Sequence, residues 1–177
     1  MFVLNVDLGN MMKRIKSMTP PTQDYLASVS RSPFFRDAIC ITPKKSVTKP
    51  DQAQVAIFGH MPKWVSAMMR VRNTLVKSLG FEVGQLNVKP TNDFLKVGDQ
   101  VGFMHVIEKN EYEIISYAED KHMAFYLSTK IDNDAIVLST LVNKKTFIGR
   151  CYVNFIIPFH YFIARAVIKD ALTNNRI

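Results

Sequence analysis

The sequence predicts a single-domain α+β protein in which one curved antiparallel sheet of about seven strands wraps around a long C-terminal helix. Between residues 81 and 156, short runs of β-branched and aromatic residues alternate with brief polar turns, a pattern typical of strands. The turns are too short for parallel crossovers, so neighbouring strands must be antiparallel. A strongly apolar helical segment follows the last run, and a curved sheet would cover it.

The strand pattern predicts a meander of six strands and one earlier strand. The earlier strand, 36–42, is a short apolar run that ends before a proline. The meander strands are predicted at 82–89, 100–108, 111–118, 122–131, 134–143 and 147–156. Alternation is clearest in 122–131, where Phe125 and Leu127 share one face and Tyr126 lies on the other. One face of each strand is therefore expected to meet the core.

Three helices are predicted, at 51–58, 62–79 and 158–174. The second begins with proline in its first turn and ends before Gly80, which is the usual asymmetry of helix ends. Its apolar residues fall on one arc, and Arg72 lies inside this arc, where a charge is not expected.

The last predicted helix is apolar around most of its circumference. Its only continuous polar wedge consists of Arg165 and Lys169. Such a helix must be buried on more than one side. The pattern places Phe162 in the core and turns His160 inward, on the side of Val167.

The net charge is +8, and most of this excess lies in the first 50 residues. Two consecutive prolines at 20 and 21 exclude a continuous helix there. We therefore expect a basic leader at 1–21 that can be flexible, ahead of a single domain at 22–177. Basic segments attract nucleic acid or anionic membranes, but these charges are scattered and not interleaved with aromatic residues. No nucleic-acid partner is expected, and contact of the leader with a membrane is the alternative to a solvated segment.

Composition and cysteine usage indicate a cytoplasmic protein. Hydrophobic residues make up 47% and charged residues 21%, as in ordinary globular domains. The apolar runs are interrupted and fall short of the ~20 residues that span a bilayer, which predicts no transmembrane helix. The N-terminus lacks the charge order of a secretory signal. Cys40 and Cys151 fit neither a disulfide framework nor a zinc site.

No motif of a common catalytic or cofactor site occurs in the sequence. There is no Gly-rich phosphate loop, GxSxG elbow, HExxH or pair of carboxylates at a catalytic spacing. His105 and His122 could be neighbours across the sheet, but two histidines without a placed carboxylate make a weak metal site. We therefore predict no metal site and no cofactor, and we assign no catalytic residue.

Two polar residues on core-facing positions are candidates for a functional site. Arg72 cannot lose its charge and is costly to bury without an anion. Its partner is either an internal acid or a ligand carboxylate or phosphate. The acids in question are Glu82, Glu119 and Asp120. His160 is either a hydrogen-bonded core histidine or a proton shuttle.

The order of the predicted elements resembles the helix-grip fold of START-like lipid-transfer domains and birch-pollen-allergen-like proteins. More specific are Trp64, Arg72-Asn73, Asp120 with His122, Gly149-Arg150 with Tyr152, and Pro158-Phe159-His160. With these residues the chain, from about Phe34 to Ala171, resembles a family of bacterial proteins of unknown function related to the polyketide-cyclase and START-like superfamily. The resemblance implies the fold and a cavity, and it carries over no catalytic residues.

A helix held by a sheet often leaves an apolar pocket with a few polar groups. Our first hypothesis is a binding module for a small apolar or amphipathic ligand between the sheet and the last helix. Its expected lining is Arg72, Phe103, His105, Phe125, Thr140, His160, Phe162 and Val167. The second hypothesis is an enzyme of cyclase, isomerase or hydrolase type in the same cavity, with His160 as acid or base and Arg72 as a clamp. A third is an interaction protein that uses its basic leader while the pocket packs closed, and the oligomeric state stays open.

Overall fold

The computed structural model describes residues 13–77, 80 and 94–177. These residues form seven strands and four helices. The strands are β1 Ile15–Met18, β2 Phe34–Ile41, β3 Gln100–Val101, β4 Met104–Lys109, β5 Glu113–Glu119, β6 Met123–Asp132 and β7 Ala135–Lys144. The helices are α1 Tyr25–Ser28, α2 Pro50–Phe58, α3 Lys63–Lys77 and α4 Phe147–Thr173.

All seven strands join one antiparallel sheet in the order β1-β2-β7-β6-β5-β4-β3. From β3 to β7 each strand pairs with the next along the chain, as the short turns predict. β2 then pairs along its whole length with β7 and brings the N-terminal part of the chain beside the last strand. The predicted fold class is confirmed: a seven-stranded antiparallel sheet packs against a long C-terminal helix.

Each face of the sheet carries its own apolar cluster. The inner face, toward α2 and α4, holds the larger core, which includes Ile39, Ile57, Leu138, Ile168 and Leu172. Burying one such side chain fully contributes about 1.5–3 kcal/mol, so α4 is held firmly along one side. The outer face carries a smaller cluster under α1, formed by Leu26, Ile115 and Leu141. The predicted alternation in β6 is confirmed, because Leu127 faces the α4 side and Tyr126 packs on the α1 side.

The strand predicted at 147–156 is wrong, because these residues form the first turns of α4. Thr146 caps the helix: its hydroxyl accepts a hydrogen bond from the backbone N–H of Gly149 at 3.1 Å. Pro158, taken as the helix start, lies inside the helix and supplies no N–H to the carbonyl of residue 154. The cap and the packing of α4 on the sheet outweigh the β-branched and aromatic content that suggested a strand.

Two further predicted strands differ from the observed ones. The strand predicted at 100–108 is the hairpin β3-β4, whose two-residue turn begins at Gly102 with a φ of 62°, a value that suits glycine. The strand predicted at 82–89 lies outside the described residues. The sheet also begins earlier than the predicted domain boundary at residue 22, because β1 pairs with β2 at the sheet edge.

One helix of the described part of the chain, α4, is long and apolar enough to cross a membrane by length and composition alone. The prediction of no such helix rested on apolar runs interrupted by Pro158, whereas the helix continues through it for 27 residues. The core helix of a soluble protein also meets these criteria of length and composition. One side of α4 is buried in the core through Val153, Val167 and Ile168. The opposite side of α4 is exposed, since Phe155 and Phe162 are 73% and 61% exposed. The prediction that this helix is buried on more than one side is therefore wrong for these residues.

Candidate functional site

A cavity of about 220 Å³ lies between the inner face of the sheet and α4. It is lined by β2, β6 and β7 on one side and by α3 and α4 on the other. Most of its lining is apolar and includes Ile39, Phe125, Leu138, Ile156, Ile163 and Val167. Among the described residues, its polar lining consists of Asp37, Arg72, Thr140, Tyr152 and His160. This first cavity has the chemistry of a ligand pocket, apolar with a few polar groups.

A second cavity, of about 240 Å³, adjoins the first and is much more polar. The two share five lining residues, which are Met69, Arg72, Phe103, Met123 and Phe125. The second cavity adds the polar side chains Asn73, Gln100, His105, Glu119 and Asp120. Each cavity alone is smaller than the about 300 Å³ at which small-ligand pockets begin, so a ligand of ordinary size would have to extend through both. An apolar space therefore opens beside a polar one, with Arg72 at their boundary.

Arg72 extends from α3 to the boundary between the two cavities, and its contacts with Tyr152 link α3 to α4. Its Nε donates a hydrogen bond to the hydroxyl of Tyr152, and its Nη1 donates to Oδ1 of Asn73 at 2.9 Å. The guanidinium also lies over the ring of Tyr152, 5.2 Å from its centroid, a cation–π contact. Both partners are neutral. Within the described ranges, no carboxylate lies at ion-pair distance from Arg72.

The acids predicted as internal partners of this guanidinium make other contacts. Asp120 accepts a hydrogen bond from the backbone N–H of His122 at 2.7 Å. Glu119 forms an ion pair with Lys145. Glu82 lies outside the described residues. The positive charge at the cavity boundary is thus hydrogen-bonded but not neutralised by a described acid.

Tyr152 remains a neutral phenol at physiological pH. Burial raises its pKa above the ordinary value of 10.0, and this effect exceeds the lowering by the neighbouring Arg72 charge. The Asp120 charge also raises the pKa of Tyr152. The neutral oxygen can therefore accept the hydrogen bond from Arg72 without cancelling its charge.

A second polar pair, Asp37 and His160, lies on the wall of the first cavity. Nε2 of His160 is 3.2 Å from Oδ2 of Asp37, whose side chain is buried on β2 opposite Thr140 in the register with β7. The rings of Phe35 and Tyr161 pack edge-on against the imidazole. The buried carboxylate holds the orientation of the imidazole ring through its contact with Nε2. His160 gives the buried Asp37 carboxylate a hydrogen-bond partner. A histidine beside a carboxylate is also the combination of side chains found in acid–base catalytic sites.

The structure brings most of the predicted lining residues together. Arg72, Phe103, Phe125, Thr140, His160 and Val167 lie on the wall of the first cavity. His105 lines only the second cavity. Phe162 lines neither, because its ring lies on the outer side of α4 and packs against Trp64. A helix that is apolar all round does not reveal which side meets the sheet, which is why the pattern misplaced Phe162.

Sequence reasoning missed Asp37 and Tyr152. The signal for Asp37 was present, since it alternates with Ile39 and Ile41 in the predicted strand 36–42 and so belongs to the inner face. Tyr152 was missed because the strand predicted at 147–156 turned it away from the core. In the helix it points to the cavity.

His122 holds the turn between β5 and β6 against the start of α4. Its Nδ1 is 2.8 Å from the hydroxyl of Thr146, and its carbonyl accepts the backbone N–H of Lys145 at 2.9 Å. Gly149 allows this close approach, since a Cβ there would lie 2.3 Å from the His122 carbonyl oxygen. Among the described residues, no group of three His, Cys, Asp or Glu side chains is placed to hold a metal ion.

Residues 31–167 match the model of a family described as "Protein of unknown function (DUF2867)". Comparisons with curated proteins and with solved structures find no match. The matched segment covers well over half of the chain and includes all strands of the sheet except β1. The resemblance to a family of proteins of unknown function is therefore confirmed, and the chain belongs to the DUF2867 family.

Proposed function

We propose that this protein binds a small amphipathic molecule, with its apolar part in the first cavity and an acidic group at Arg72. The observation that carries the proposal is the position of Arg72 between an apolar and a polar cavity, where its hydrogen-bond partners among the described residues are neutral. A guanidinium has five N–H donors, and the two hydrogen bonds of Arg72 leave capacity for a carboxylate or phosphate. An anion at this position would offset the cost of a partly buried charge that no described acid neutralises.

We also propose that the family is related to START-like and polyketide-cyclase proteins and that this member works in the cytoplasm. The first proposal is supported by the seven-stranded antiparallel sheet that packs on a long C-terminal helix with a cavity between them. The second is supported by the two free cysteines, one of them exposed, which suit a reducing compartment.

Arg72→Met, with Arg70→Met as its matched control, tests the ligand proposal. Arg70 lies two residues away on the same helix and is exposed. Decanoate and decanol serve as probes that share a chain and differ in charge. A ligand present at 100 times its Kd stabilises by about 2.7 kcal/mol, which a thermal melt detects. We expect decanoate to stabilise the unmodified protein and Arg70→Met more than decanol does, and Arg72→Met to lose this difference. If Arg72→Met responds to decanoate like its control, the proposed role of Arg72 is wrong.

A second pair of variants tests whether the cavity is the binding space. Ala164 lines the first cavity, whereas Ala166, two residues along α4, does not. Ala164→Phe should fill the space and abolish stabilisation by both probes, while Ala166→Phe should leave it intact. Equal responses from the two variants would place the bound chain elsewhere. Native mass spectrometry of the purified protein would then identify any molecule that copurifies.

The Asp37–His160 pair supports a second candidate function, acid–base catalysis on the bound molecule. A histidine held in place by a buried carboxylate has the geometry to accept a proton from a bound molecule and to return it. His160→Gln keeps a polar side chain but cannot act as a base. If the protein is an enzyme, the small molecule that copurifies with this variant should be the unconverted substrate and differ from that found with the unmodified protein. The same molecule in both preparations would favour binding alone.

A further inference from the structure

The outer side of α4 carries an apolar stripe that no described element covers. The stripe consists of Ile148, Phe155, Phe159 and Phe162, and Trp64 of α3 extends it sideways. The ring of Trp64 lies 5.6 Å from that of Phe162, and Phe155 lies 5.9 Å from Phe159, centroid to centroid. All five side chains are more than a third exposed. We call this set the aromatic face.

Single exposed apolar residues are ordinary, but a continuous aromatic face along a helix is not. Soluble monomers rarely expose large contiguous apolar patches, and such patches mark interaction sites. A surface helix of a globular domain normally presents charged residues to water. The α4 helix instead presents phenylalanine on three of its successive outward positions. We therefore expect the aromatic face to be covered by a binding partner or a surface.

The charges around the aromatic face favour an anionic occupant. Besides Arg72 at the cavity boundary, helix α3 carries three exposed cations, Lys63, Arg70 and Lys77, and no acid. Helix α4 carries Arg150, Arg165 and Lys169, and its one acid, Asp170, is paired with Arg176. A symmetric contact with a second copy would place this cationic surface against an identical cationic surface, which is unfavourable. An anionic surface would neutralise them.

We propose that the aromatic face docks on the surface of an anionic lipid bilayer, with α4 lying in the plane of the interface. Aromatic side chains flanked by Lys and Arg are the composition of helices that bind membrane interfaces. The helix does not cross the bilayer, because its other side is part of the core through Val153, Val167 and Ile168. This docking site is formed by α3 and α4, and it stands whether or not the cavity binds a ligand.

The single tryptophan of the chain makes the proposal directly measurable. Trp64 belongs to the aromatic face, so its fluorescence reports on this face alone. Phosphatidylcholine vesicles with phosphatidylglycerol should shift its emission to the blue, less so at high salt, and vesicles of phosphatidylcholine alone should do so weakly. Phe155→Ser/Phe162→Ser should raise the lipid concentration for half-binding about tenfold or more. Tyr112→Ser removes an equally exposed aromatic ring from the distant β4-β5 turn and should bind like the unmodified protein.

Two results would overturn the docking site. One is an unshifted Trp64 emission with anionic vesicles; the other is unchanged affinity of the double serine variant. Sedimentation equilibrium distinguishes the competing occupant: a dimer that the double variant dissociates, without vesicle binding, would assign the face to a second copy. If the double variant folds poorly, Lys63→Glu/Arg70→Glu replaces it, and this variant should lose the preference for phosphatidylglycerol while keeping its weak binding to phosphatidylcholine.

Discussion

Replacing Ile168 by alanine should destabilise this protein far more than replacing Phe162, although phenylalanine is the larger side chain. Ile168 is 1% exposed in the core between the sheet and α4. Truncation there removes buried methyl groups and leaves a void that a packed sheet cannot close, which costs about 2–5 kcal/mol. Phe162 lies on the aromatic face with most of its ring in solvent, so its truncation should cost less than about 1 kcal/mol.

Urea unfolding followed by far-ultraviolet circular dichroism measures both values. Equal m values would show that each variant unfolds between the same two states and that the midpoints can be compared. The periodicity of the sequence alone predicts the opposite for Phe162, namely the cost of a buried aromatic, about 3–5 kcal/mol. A cost for Phe162→Ala that equals or exceeds that of Ile168→Ala would mean that the aromatic face is covered, and it would remove the basis of the docking site as well.

Tyr152→Phe should flatten the loss of stability at high pH. Burial raises the pKa of Tyr152 above 10.0 in the folded state. The contribution of Tyr152 to the free energy of unfolding is therefore complete below pH 10 and is lost as the pH rises through the folded-state pKa. Urea melts from about pH 9 to pH 11 measure this loss in both proteins. Gly149→Ala should lower the melting temperature despite better helix propensity, since the added Cβ meets the His122 carbonyl at 2.3 Å and overpacking costs about 1–3 kcal/mol. Deletion of residues 1–18 removes β1 and exposes the edge of β2, so it should lower the melting temperature, while deletion of residues 1–12 keeps β1 as a control. Identical melting of the two deletions would mean that β1 adds nothing to the stability of the sheet.

The sheet could be predicted because its evidence is local. Turn lengths set the antiparallel pairing, and the alternation of Phe125, Tyr126 and Leu127 set which side chains face inward. The segment 147–156 failed because a short apolar run fits a strand and a buried helix equally well. The helical spacing of apolar residues continues through Pro158 as far as Val167. That continuity indicates one long helix and was a better predictor than the composition of 147–156 alone.

The site could be predicted only in part, since its geometry joins residues that are far apart in the chain. Arg72 and His160 stood out as polar residues on apolar arcs, and both line the first cavity. Their partners did not stand out: Tyr152 is 80 positions from Arg72, and Asp37 is 123 positions from His160. Each pairing depends on how α4 lies across the sheet, and local periodicity does not contain that information.

The structure explains why α4 is apolar around most of its circumference although only one of its sides is buried. A helix that is apolar all round predicts burial all round if water is the only alternative environment. In the structure, one side of the helix meets the core and the first cavity, and the other side carries the aromatic face. Three apolar environments, a packed core, a ligand space and a lipid interface, would each select the same residue types. The distinguishing evidence therefore lies in the polar neighbours: Asp37 and Tyr152 mark the cavity side, while the acid-free α3 with its Lys and Arg residues marks the side that we assign to lipid.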